Sequence, residues 1–103
     1  MSAELLQKIG LNKSEAKVYL VLLEMGSSTT GPLMSKAKIS SSKIYGILDR
    51  LMEKGLVSFI IQAKTKYYQA SSPETILDYL QEKEEWLLQQ KNEIIKFIEE
   101  QKN

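Results

Sequence analysis

Ser41, Ser42 and Lys43 stand side by side, and Tyr45, Gly46 and Arg50 follow at spacings that a helix would place near them. Two hydroxyls, an ammonium and a guanidinium around a glycine suit hydrogen bonds and ion pairs to a polyanion: phosphate oxygens and, where the backbone can come close, base edges. They do not assemble a nucleophile with its base. The sequence contains neither histidine nor cysteine, which removes imidazole bases, thiolates, disulfides and the usual zinc ligand sets. No paired carboxylates stand in a recognisable catalytic context, and no glycine loop could cradle a phosphate. Neither an enzyme nor a bound metal or other cofactor is expected.

Net charge is only +1, but its distribution is uneven. Residues 29–70 carry Lys36, Lys38, Lys43, Arg50, Lys54, Lys64 and Lys66 against Asp49 and Glu53, a surplus of five positive charges. Residues 71–103 carry four lysines against eight acids, or −4, and residues 1–28 balance to zero. A basic middle beside an acidic tail points to a polyanionic partner that meets the middle alone. No stretch approaches the roughly 18 to 20 apolar residues of a membrane span, and Met1–Lys8, with its early acid, does not read as a signal peptide. A cytoplasmic protein that avoids the membrane is the expectation.

The elements that must position the Ser-Ser-Lys segment follow from periodicity and caps. Leu5, Leu6 and Ile9 predict a short helix that stops at Gly10. Asn12 with Glu15 three residues on resembles a capping box, opening a helix that ends at Gly26. Thr30-Gly-Pro32 reads as the cap and first turn of another helix, which ends near Lys38. A third runs from about Ser42 to Lys54, with Ile44, Ile47, Leu48 and Leu51 as its buried stripe and Gly55 after its end. Its opposite face presents Ser42, Lys43, Gly46, Asp49, Arg50 and Glu53. Val57, Phe59 and Ile61 alternate with Ser58 and Gln62, blurred by Ile60, and the aromatic-rich Lys66–Ala70 supplies a second strand, a hairpin whose tip, Ala63 to Thr65, lacks the usual turn residues. Ser72-Pro73-Glu74 opens a final helix of nearly 30 residues, about 40 Å long.

Helix, helix, helix, hairpin and long helix describe a mainly α, α+β chain: a winged helix-turn-helix over residues 1–72 and a C-terminal helix over 73–103. The third helix would enter the major groove with the hairpin as wing. Thr30, Lys36, Lys38, Ser41, Ser42, Lys43, Tyr45, Gly46, Arg50, Lys64 and Lys66 are the candidate DNA-binding residues. Each also has a plainer role: the serines as cap and linker, Tyr45 as packing, Arg50 as partner of Asp49 or Glu53.

Residues 10–56 resemble the DNA-binding domain of the TrmB family of archaeal regulators. Glu15-Ala16-Lys17-Val18-Tyr19, Ile44-Tyr45 with Leu48 and Leu51, and Glu53-Lys54-Gly55-Leu56-Val57 carry the likeness, and Lys66–Ala70 with Pro73-Glu74 extends it to about residue 75. The resemblance implies a winged-helix transcription regulator. Family members usually continue into a long effector-binding domain, whereas this chain ends, so sugar sensing is not carried over.

In the final helix Leu77, Leu80, Leu87, Ile94 and Ile98 follow a 3-4 spacing that predicts a homodimer interface. Ile76, Tyr79 and Trp86 form a second stripe suited to docking on the winged-helix body. A parallel pair would set Glu84 against Glu84 and Lys91 against Lys91, so an antiparallel pair is preferred. The expected function is sequence-specific binding of double-stranded DNA by a dimeric regulator. An architectural protein of low sequence specificity and a winged-helix protein-interaction module are the alternatives.

Overall fold

The computed structural model describes residues 1–102; Asn103, the last residue of the expected C-terminal helix, lies outside them. Helices α1 (Ala3–Lys8), α2 (Lys13–Met25), α3 (Thr30–Ala37) and α4 (Ser41–Glu53) precede a hairpin of β1 (Val57–Gln62) and β2 (Thr65–Ala70), and α5 (Thr75–Lys102) closes the chain. The fold is a winged helix followed by one long helix, as the periodicity predicts.

Local chemistry sets the helix starts. The Leu5 N–H donates to Ser2 Oγ at 3.2 Å. At α2 the capping box is complete: the Glu15 N–H donates to Asn12 Oδ1 and the Asn12 N–H to Glu15 Oε1, both at 2.8 Å. Thr30 lies inside α3 instead of capping it; Thr29 occupies the cap, without a side-chain hydrogen bond. Helix α4 starts one residue early, after Ser40, and ends at Glu53. The final helix starts at Thr75, later than Pro73 suggests. Thr75, Ile76 and Leu77 donate their N–H groups three residues back, to Ser72, Pro73 and Glu74, so a tight turn leads into the helix.

The hairpin register pairs Val57 with Ala70 and Gln62 with Thr65, leaving a two-residue turn at Ala63-Lys64. Both turn residues are left-handed, φ 49° and 68°, as a primed turn matched to strand twist requires, although neither is glycine or asparagine. A third, one-residue strand joins the hairpin. The Ser28 N–H donates to the Tyr68 carbonyl at 2.8 Å and the Tyr68 N–H to the Ser28 carbonyl at 2.7 Å. This bridge seats the wing against the α2–α3 connection.

One core lies under α1 to α4 and the base of the hairpin, with Tyr19, Leu22, Leu33, Ile44, Leu48 and Leu51 fully buried. Ile76 closes it from the start of α5. The Tyr79 hydroxyl and Lys83 Nζ then donate to the Ile9 carbonyl at 3.3 and 3.0 Å, placing an ammonium at the C-terminal end of α1. Gly10 makes this approach possible. Its φ is +113°, and a Cβ there would run into Lys83 Nζ. Beyond Lys83 the long helix leaves the body. Trp86, expected to dock, is 57% exposed. The molecule is therefore elongated: its radius of gyration is 17.3 Å and its longest extent 61 Å, against roughly 13 Å for a compact chain of about 100 residues. No described helix is long and apolar enough to cross a membrane.

Candidate nucleic-acid interface

The strong amphipathy of α4 decides the site. Ile44, Ile47, Leu48 and Leu51 turn inward and are buried, so Ser42, Gly46, Asp49 and Glu53, at i, i+4, i+7 and i+11, must face outward. The helix-turn-helix turn is made at Lys38, whose φ of 56° reverses the chain between α3 and α4. Ser40 caps α4 by position but contributes no side-chain cap bond; its hydroxyl lies 3.1 Å from that of Ser42. The first turn of α4 therefore opens to solvent with its N–H groups free of a side-chain cap. Ser41, Ser42 and Lys43 are exposed around it. At Gly46 a Cβ would meet, among the described residues, only an Arg50 guanidinium nitrogen at 3.4 Å.

Beside this face the structure brings Thr30, Tyr45, Lys64 and Lys66 around one groove of about 430 Å³, together with Thr29, Thr65 and Tyr68. The Thr30 and Tyr45 hydroxyls are 3.5 Å apart. Lys66 is steadied by the wing itself, its Nζ 4.4 Å from the Phe59 ring centroid. Phe59 in turn packs on Tyr68 with ring centroids 5.8 Å apart. The Tyr68 phenol is held above its ordinary pKa by burial, and further by neighbouring Tyr45 and Asp49. The groove thus joins Tyr45 of α4 to Lys64 and Lys66 of the wing, while Lys43 is exposed on the other flank of α4.

Two predicted residues stand apart from this group. Lys36 pairs with Glu24 of α2 at 3.5 Å. Arg50 pairs with neither Asp49 nor Glu53: its Nε donates to Glu15 Oε2 at 2.9 Å, joined by Lys54 Nζ at 3.5 Å. Glu15 is 3% exposed. Burial alone would raise its pKa, but the Asn12 N–H, the Arg50 guanidinium and the Lys54 ammonium outweigh burial and lower it. One buried carboxylate thereby caps α2 and ties it to α4, fixing the pose of the exposed helix face. Sequence reasoning found the capping half of this role and missed the other, because Arg50 lies 35 residues away with no local signal. The Ser28–Tyr68 bridge was equally silent: a lone backbone pair leaves no pattern in side-chain types.

Along α5 the expected interface residues Leu77, Leu87, Ile94 and Ile98 are exposed, while Leu80 packs partly against the core. Leu88, Ile95 and Phe97 are exposed beside them. Among the described residues no group of three or more His, Cys, Asp or Glu could hold a metal ion.

Comparison with known proteins agrees with the fold. The family described as "Sugar-specific transcriptional regulator TrmB" matches residues 6–74. A curated relative, the "HTH-type sugar sensing transcriptional regulator TrmBL1" of Pyrococcus furiosus, is 35% identical over 77 residues, which are 75% of this chain and 22% of the relative. A solved structure described as TrmBL2, an archaeal chromatin protein with a novel mode of DNA binding, superposes with a TM-score of 0.84 at 28% identity. The match covers 95% of this chain and 38% of that one. The YusO protein of Bacillus subtilis shares the fold, with a TM-score of 0.60 at 18% identity over 93% of this chain and 80% of its own. The chain thus spans about a fifth of the length of the curated relative.

Proposed function

The chain belongs to the TrmB family of transcriptional regulators, and from that premise we propose that it binds double-stranded DNA sequence-specifically as a cytoplasmic homodimer. Residues 1–72 are the DNA-binding head, with α4 in the major groove and the hairpin as wing; residues 73–103 are the dimerisation element. The observation that carries the reading is that α4's small polar face, its first turn without a side-chain cap and the wing lysines all lie within the basic middle of the chain, residues 29–70. Lys38, Lys43, Lys64 and Lys66 neutralise phosphates, while Ser41, Ser42, Thr30 and Tyr45 supply hydrogen bonds and Gly46 lets the backbone approach. Lys36 and Arg50 contribute less, because each is engaged with a carboxylate of the body.

The dimer reading rests on the exposed row of Leu87, Ile94 and Ile98, flanked by Leu88, Ile95 and Phe97. Exposed apolar side chains recurring on one side of a helix that has left its own core, interrupted at Lys91, suit burial against a partner. A second copy supplies the same stripe, and an antiparallel arrangement avoids the Glu84 and Lys91 self-contacts. Two heads then meet two half-sites, roughly 34 Å apart or a multiple of it where they share one face of the duplex.

Titrating a labelled duplex pool with the 103-residue chain over a range of salt tests the reading. Four lysines on each of two heads give a slope of log affinity on log salt near −7, or roughly a 10⁴-fold loss between 50 and 200 mM. A salt-independent or absent interaction would sink it. One observation favours a second reading, an architectural protein with little sequence preference: the close structural likeness to a protein described as chromatin-associated. Equal affinity for selected and random duplexes would establish that alternative.

A further inference from the structure

Asp49 is the only acid at the centre of the exposed face of α4, one turn beyond Gly46 and two beyond Ser42. Glu53, the other acid of this basic segment, turns toward α5, lining a groove with Thr75, Asp78 and Tyr79. Asp49 is exposed and takes part in no ion pair or side-chain hydrogen bond among the described residues. The positions that neighbour it on a helix are Tyr45, Gly46, Met52 and Glu53, none of them a cation. Adjacent Arg50 is drawn sideways: Glu15 holds its Nε and a terminal nitrogen lies over Gly46.

A carboxylate left without a cation on a face that approaches phosphates weakens binding to every duplex, unless it meets a donor there. Being only an acceptor, it can gain from the major groove solely at an exocyclic amino group, N4 of cytosine or N6 of adenine. We propose that Asp49 is the specificity-determining residue of α4, accepting a hydrogen bond from a base amino group at one fixed position of each half-site. This rests on the DNA-binding reading above.

Bound sequences selected from a random duplex pool by the full chain, by Asp49→Ala and by Asp49→Asn test it. The parent enriches cytosine or adenine at one position per half-site, and which of the two identifies N4 or N6 as the donor. Asp49→Ala loses that preference there and nowhere else, a discrimination of between about fivefold and a hundredfold. Asp49→Asn, which can both donate and accept, enriches adenine at that position. A base profile unchanged in Asp49→Ala, even with uniformly tighter binding, overturns the proposal, because the carboxylate then only repels phosphate. A flat profile for the parent overturns it while leaving DNA binding intact. Absence of any duplex binding by the parent removes the DNA-binding reading itself, and this proposal with it.

Discussion

Helices α4 and α5 both carry an apolar stripe and a polar face, and the fold covers them in opposite ways. In α4 the stripe of Ile44, Ile47, Leu48 and Leu51 is sealed in the core and the polar face is left bare. In α5 only the first turns are anchored, by Ile76 and by the Tyr79 and Lys83 bonds to Ile9, and the bare part carries apolar side chains that the body does not cover. What a helix leaves uncovered decides what kind of surface it can meet. A bare face of serine, glycine and lysine suits a hydrated polyanion; a bare row of leucine and isoleucine suits another apolar surface. The charge partition agrees, with the positive surplus around α4 and the negative one along α5.

The largest expected effect tests the α5 half of this contrast. Removing residues 84–103 while keeping Ile76, Tyr79 and Lys83 is expected to leave a folded monomer by light scattering. Its affinity for a two-site duplex should fall by about 10²-fold or more, since the second head no longer binds as part of the same molecule. A truncated chain that remains dimeric breaks the comparison.

The next effect concerns what holds α4 in place. Glu15→Gln is expected to lower stability to urea by about 2 kcal/mol, losing the charge that Arg50 and Lys54 engage. Because Glu15 has a lowered pKa when folded, its contribution is complete above the ordinary value of 4.5. It disappears as pH falls from there through the lowered value, so the parent should lose stability in that range and the variant less. A smaller gain is expected at the wing. Ala63→Gly relieves a left-handed alanine and should raise stability by about 1 kcal/mol, with duplex affinity nearly unchanged. Smallest is Lys64→Ala, which should weaken all duplexes alike by a few-fold and reduce the salt slope by about one per head. A Lys64 variant with altered base preference would instead make the wing a reader of sequence, and α4 would no longer be the sole reader.

The elements were legible because each announces itself locally. Asn12 with Glu15, Gly26 and Gly55 mark helix ends, and the stripe from Ile44 to Leu51 fixes which face of α4 is free. The hairpin was legible from its strands and not from its turn: Ala63 and Lys64 accept left-handed backbone because the register from Val57–Ala70 to Gln62–Thr65 imposes it. Long-range partners were not legible. Nothing near Arg50 points to Glu15, and a tryptophan at helical spacing from Tyr79 looked like a docking residue although the helix departs before reaching it. At the candidate site, side-chain types indicated the face, but which of its cations stay available depended on carboxylates from α2.

Beyond Lys83 the rest of α5 would act as a lever in the proposed dimer. Nineteen described residues lie beyond it, a rod of about 28 Å at 1.5 Å per residue. A tilt of about 10° at the Gly10–Lys83 contact swings the far end by roughly 5 Å, more than the ~3.4 Å between successive base pairs. In a dimer joined along these rods, the spacing between half-sites is therefore geared to a hinge in which one glycine and one lysine ammonium meet the end of α1. Under the dimer reading, the tolerance for an inserted base pair would be set there, away from the proposed contact face on α4.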